Sequence, residues 1–127
     1  MPDVGSDTKW HLDLNWHQEN GCSFSALAEV YLCPDCLKTV KMETEAEKVI
    51  ETISLCCGNK PGFFKASTPV LATVFQIFLR NANKPLSLEE LSKEVALRRP
   101  QVPPLPPERL ERILMSDNYY GLRPAQY

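Results

Sequence analysis

The stretch from Leu32 to Gly58 constrains this chain more than any other. It opens with Cys33-Pro34-Asp35-Cys36 and closes on the adjacent pair Cys56-Cys57. A CxxC turn aims two sulfurs at one point, and Zn²⁺ takes four tetrahedral ligands with Zn–S near ~2.3 Å. The spacing therefore predicts one structural zinc site made by Cys33, Cys36, Cys56 and Cys57, with Cys22 or His17 as the alternative to one member of the Cys56-Cys57 pair. Four thiolates leave no open coordination position, so the metal is read as structural and the chain as non-catalytic.

The run before the second pair reads as a helix over roughly residues 44–57. Thr44 and Glu47 form a capping box, and Ala46, Val49, Ile50 and Ile53 recur at helical spacing. Gly58 falls where a left-handed C-cap belongs, with Pro61 soon after. Cys56 and Cys57 then sit on a last turn that can unwind.

Five cysteines, an odd number, argue for metal rather than a disulfide framework. No apolar run reaches the ~20 residues of a membrane span, and Met1-Pro2-Asp3 does not begin a signal-peptide pattern. A cytoplasmic location is expected, where thiols stay reduced and a metal is the usual cross-link. The charge is uneven. Residues 1–60 hold five lysines against ten acids, net −5, whereas residues 61–127 hold nine basic and six acidic residues, net +3, including all six arginines. Any contact with nucleic acid is expected from that second half. There is no glycine-rich phosphate loop, no His-Glu-x-x-His helix and no serine nucleophile elbow.

Along the chain, residues 1–8 read as a frayed tail. Trp10, Leu12, Leu14 and Trp16 alternate with polar residues as in a half-buried strand, with His11 and Asp13 toward solvent. Asn20-Gly21 marks a turn, and Ser23 caps a short helix carrying Phe24, Leu27, Ala28 and Tyr31. After the break at Lys60-Pro61-Gly62, Thr68 caps a helix with Pro69 in its first turn and a broad stripe from Val70 to Leu79. Ser87 and Glu90 make another capping box, for a helix burying Leu88, Leu91 and Val95. Five prolines across 100–107 make a stiff connector, and Pro107 opens a third helix that buries Leu110, Ile113 and Leu114. Ser116-Asp117-Asn118 stops it, and Tyr119 to Arg123 reads as a terminal strand. The fold class is mainly α (α+β), with a zinc-binding subdomain over 1–62 and a three-helix unit over 63–127.

The phrases Lys84-Pro85-Leu86-Ser87-Leu88-Glu89-Glu90-Leu91 and Leu110 through Leu122 resemble the helical phrases of winged-helix modules. Such modules occur in bacterial RNA-polymerase accessory subunits and related chromatin proteins. The whole chain is also similar to an uncharacterised bacterial family that joins a CxxC…CC cysteine set to a winged-helix-like C-terminal half. A winged helix usually closes with a two-stranded wing, and here one strand fits before Tyr127.

The resemblance implies a DNA partner met through the third helix, as in a transcription-type accessory protein. Arg109 and Arg112 lie on that helix's outward face, Arg98 and Arg99 end the preceding helix, and Arg123 sits on the last strand. Glu108 and Glu111 share the third helix with them. Two other readings stand beside this one. A protein-interaction adaptor would use exposed members of Trp10, Trp16, Tyr119, Tyr120 and Tyr127. A thiol–disulfide oxidoreductase would use Cys33 and Cys36 alone.

Overall fold

A computed structural model of the protein describes residues 8–21, 23–38, 45–65, 67–100 and 103–125. The tail over 1–7, Cys22, Val40, Thr44, part of the connector (101–102) and Tyr127 lie outside the described residues.

Trp10 and Leu12 point inward from β1 (Lys9–Leu12) and are each 1% exposed, as period-two alternation requires. The expected strand does not continue to Trp16. Asp13 turns its carboxylate onto the N–H groups of Asn15 (3.0 Å) and Trp16 (3.2 Å) and so caps α1 (Leu14–Glu19). A capping side chain at that position outweighs two further residues of alternation. His11 is half-buried rather than facing solvent.

α2 (Phe24–Glu29) begins where Ser23 Oγ accepts from Ala26 N–H at 3.2 Å, and it buries Phe24 and Ala28. α3 (Pro34–Leu37) is one turn long with Pro34 at its start. α4 (Ala46–Leu55) buries Val49, Ile50 and Ile53. It starts from Glu45 without a side-chain cap from that residue, and the expected capping box depends on Thr44, outside the described residues. It also ends earlier than expected. Cys56 leaves the helix (φ −132°, ψ −78°) and Cys57–Asn59 form a 3₁₀ turn. Gly58 is therefore not a left-handed cap. Its lack of a side chain serves close approach instead, since a Cβ there would lie 3.0 Å from both Arg80 Cγ and the Ile53 carbonyl oxygen.

α5 (Val70–Arg80) is the buried axis: every residue from Ala72 to Leu79 is buried. Pro69 is its N-cap rather than its first helical residue, and Thr68 supplies no side-chain cap. The helix ends at Asn81, and Ala82 and Asn83 follow with φ of 62° and 59°. That left-handed pair turns the Asn83 amide back onto β1, where it bonds both the N–H (2.8 Å) and the C=O (3.0 Å) of Leu12.

Ser87, at the end of β2 (Leu86–Ser87), caps α6 (Leu88–Arg98) through the expected box. Glu90 N–H donates to Ser87 Oγ (3.2 Å), and Ser87 N–H donates to Glu90 Oε1 (2.9 Å). α7 (Pro107–Met115) starts at Pro107 as expected and buries Leu110 and Leu114, while Ile113 is half-buried. The chain does not extend at Tyr119. The buried Asp117 carboxylate collects the N–H groups of Tyr119 (3.1 Å), Tyr120 (3.0 Å) and Leu122 (2.9 Å), so the strand waits until β3 (Leu122–Pro124).

The sheet joins the two ends of the sequence. Its order is β2-β1-β3, with β1 antiparallel to both neighbours; Trp10 pairs with Leu86 and Leu12 with Leu122. Beneath it one hydrophobic core runs from Phe24 and Ile53 through Phe75 and Phe78 to Leu91 and Leu114. The architecture is mixed α+β. Among the described residues, no helix is long and apolar enough to cross a membrane.

Candidate metal centre

The four cysteines of the CxxC…CC set converge. Their sulfurs all lie within 4.8 Å of one another, and no other group of three or more metal-ligating side chains is found among the described residues. Cys33 is the N-cap of α3, and its carbonyl accepts from Leu37 N–H at 2.9 Å, which curls the knuckle around Pro34 and Asp35. On the opposite side the end of α4 delivers Cys56 and Cys57. A regular helix would rotate neighbouring residues apart by about 100°. The break at Cys56 and the 3₁₀ turn after it bring both sulfurs to the same point.

The distances suit a metal rather than a covalent link. Cys33 Sγ and Cys56 Sγ are 3.9 Å apart, far beyond the ~2.05 Å of a disulfide. The edge of a tetrahedron with metal–sulfur bonds of ~2.3 Å is ~3.8 Å. Two further contacts support the sulfurs: the Cys33 N–H donates to Cys57 Sγ (3.2 Å), and Lys60 Nζ donates to Cys33 Sγ (3.3 Å). Cys57 is buried and the other three are half-buried, so the centre sits at the edge of the core.

The protonation balance differs from sulfur to sulfur in this corner. The Cys33 thiol is drawn down to about 6, first by the Cys36 backbone N–H, then by hydrogen bonds from Cys36, Cys57 and Lys60. Burial pushes the Cys36 and Cys57 thiols up. The Lys60 ammonium is held charged more firmly by Cys33 beside it. A bound dication would replace the protons that burial otherwise retains on the sulfurs. The four cysteines can hold a metal ion.

His17 does not join them. It is 2% exposed, packed edge-on against Trp16 (5.4 Å) and Phe24 (5.2 Å), with its Nδ1 3.1 Å from the Asp13 carbonyl. Burial lowers its pKa below the usual histidine value. A Cβ on Gly121, whose φ is +77°, would come within 2.5 Å of the His17 ring.

The five arginines singled out from sequence divide into two groups. Arg98 stacks over the Phe64 ring (4.1 Å) and lies 3.9 Å from Glu94. Arg123 stacks on Trp16 (5.0 Å) and donates to the Asp117 carbonyl at 2.9 Å. Both are built into the fold. Arg109 and Arg112 are exposed on α7, and the half-buried Arg99 caps the end of α6. Of the aromatics, Trp10 is buried, Trp16 and Tyr120 are half-buried, and Tyr119 is 58% exposed.

Two contributors escaped the sequence reading. Lys60 appeared only as part of a turn, although a lysine three residues after a metal-site cysteine is a signal that could have been weighed. Asp117 appeared only as a helix stop, and its role as a collector of backbone N–H groups needs the loop geometry to be seen. Scans against protein-family models, curated proteins and solved structures find no match for this chain.

Proposed function

We propose that this protein is a non-catalytic, zinc-stabilised binding module whose winged-helix-like rear half contacts DNA through α7. The convergence of four sulfurs within 4.8 Å of one another, one pair at 3.9 Å, is the observation that carries the zinc half of this reading. A thiol–disulfide catalyst would work through Cys33 and Cys36 alone, whereas here Cys56 and Cys57 crowd the same point.

The DNA half rests on the order helix, short strand, helix, helix, strand from Val70 to Pro124, and on what α7 presents. β1 lies between β2 and β3, the place a second wing strand would take. A module closed this way has no free wing, so its contact with a duplex falls on the helix itself. Leu110 and Leu114 face the core, which leaves Arg109 and Arg112, three residues apart, on the open face. Arg99 stands at the end of α6, half-buried. Arg98 and Arg123 are expected to act on stability instead of affinity.

The test is the salt dependence of duplex affinity, measured by fluorescence anisotropy with the full chain. Affinity should fall steeply with salt, and Arg109→Gln and Arg112→Gln should each reduce the log–log slope by about one. Salt-independent binding, or none, would contradict it. A protein partner is the second reading, for which Tyr119, 58% exposed, offers an aromatic anchor. A stoichiometric partner that survives nuclease treatment during purification would select it.

A further inference from the structure

A cleft of about 400 Å³ opens beside the metal centre, between the cysteine turns and α5. We infer that this cleft is a binding site for a small aromatic anion that also carries a hydrogen-bond donor. The volume lies within the range of small-molecule sites, which are mostly apolar with a few fixed polar groups.

Three features of the lining define the ligand. Lys60 and Lys65 both line the cleft and are exposed, and none of the lining side chains is acidic. The Lys60 ammonium is already turned to Cys33 Sγ, so it is the Lys65 ammonium, with no carboxylate in the lining, that favours an anionic end. The walls include Tyr31 and Phe63, which pack edge to face on each other (6.2 Å, 63°) and give the cleft an aromatic side. The third feature is Gln76. It is only 2% exposed, lines the cleft, and its Nε2 donates to the Phe63 carbonyl at 2.6 Å. That bond fixes the amide and leaves Oε1 buried with no hydrogen-bond partner. A buried acceptor with no donor is costly to a fold, and a hydroxyl or N–H on a ligand relieves the cost.

Cys33 and Cys57 also line this cleft, so its floor belongs to the metal centre. Lys60 is shared as well, because its ammonium already donates to Cys33 Sγ. Among the described residues Lys65 has no such second contact, which makes it the residue to alter.

The test is isothermal titration of the full chain, as purified, with three probes. The probe 4-hydroxybenzoate carries anion, ring and donor; benzoate lacks the donor and phenol lacks the anion. One site per chain should saturate with 4-hydroxybenzoate, and both truncated probes should bind about tenfold more weakly. Lys65→Gln should weaken 4-hydroxybenzoate by about two- to fivefold while leaving phenol unchanged. In Gln76→Leu, where it folds, the preference for 4-hydroxybenzoate over benzoate should vanish. Absence of saturable binding overturns the inference. So does equal binding of 4-hydroxybenzoate and benzoate, the result expected if Gln76 is satisfied by water alone, or an affinity indifferent to Lys65→Gln.

Discussion

Two corners of this molecule solve the same problem by different means. α5 buries eight consecutive residues, among them Phe75 and Phe78 at 0% exposure. α3 buries none. Each fully buried large apolar side chain contributes about 1.5–3 kcal/mol, so α5 can be held by area alone. A one-turn helix with no buried residue cannot be. Its only strong anchors are the sulfurs at its start and third residue, which is where a metal contributes most to folding. The lesson is that the cysteine corner should fail without the helical core when its metal is lost, whereas a defect in the core reaches both.

The widest separation between them should come from Cys33→Ser. Loss of one ligand removes most of a metal-binding free energy on the order of ~10 kcal/mol. Backbone amides of α3 and the end of α4 should then exchange rapidly, while α5 amides stay protected; uniform loss across the chain would show that the corners are one unit. In the opposite direction, Phe78→Ala should cost about 3–5 kcal/mol in a denaturant titration and lower the protection of both regions, with metal content retained. A metal-free yet folded Phe78→Ala protein would reverse the assignment of roles.

A smaller effect sharpens the comparison through pH. Burial holds His17 neutral, so its native pKa lies below the unfolded value of about 6.5, despite the opposing fields of Asp13 and Asp117. As pH falls through that unfolded value, the denatured chain takes up a proton that the native chain resists, and stability declines. Above it the contribution is constant. The cysteines also take up protons in acid, so the measurement is a difference: thermal melting of wild type and His17→Gln between pH 7.5 and 5.5, with the variant less pH-sensitive. Least of all, Ser87→Ala should cost about 1 kcal/mol by removing one arm of the α6 capping box, and it should leave the cysteine corner untouched.

What the residues announced in advance follows from how local each signal is. The cysteine set was legible because thiolate chemistry and spacing restrict the possible arrangements. The Ser87–Glu90 box and Pro107 at the start of α7 were legible for the same reason, since each is settled within a single turn. The strand expected as far as Trp16 was a misreading: alternation and capping competed at Asp13, and the cap prevailed. Gly58 looked like a left-handed cap because its contact with Arg80, distant in sequence, could not be known. The partners of β1 were hidden for that reason too. A four-residue strand carries no record of which strands flank it, and here they lie more than seventy residues away. The split of the arginines depended likewise on Phe64, Trp16 and Asp117 reaching them in space.

The central claim is that four sulfurs hold one metal ion and that this ion organises the cysteine corner. Elemental analysis of the purified full chain, paired with thiol titration before and after denaturation in chelator, tests it most directly. The account expects one zinc per chain and four thiols that become reactive only when the metal is stripped. A folded chain without metal, with all five of its thiols freely reactive from the start, would contradict it.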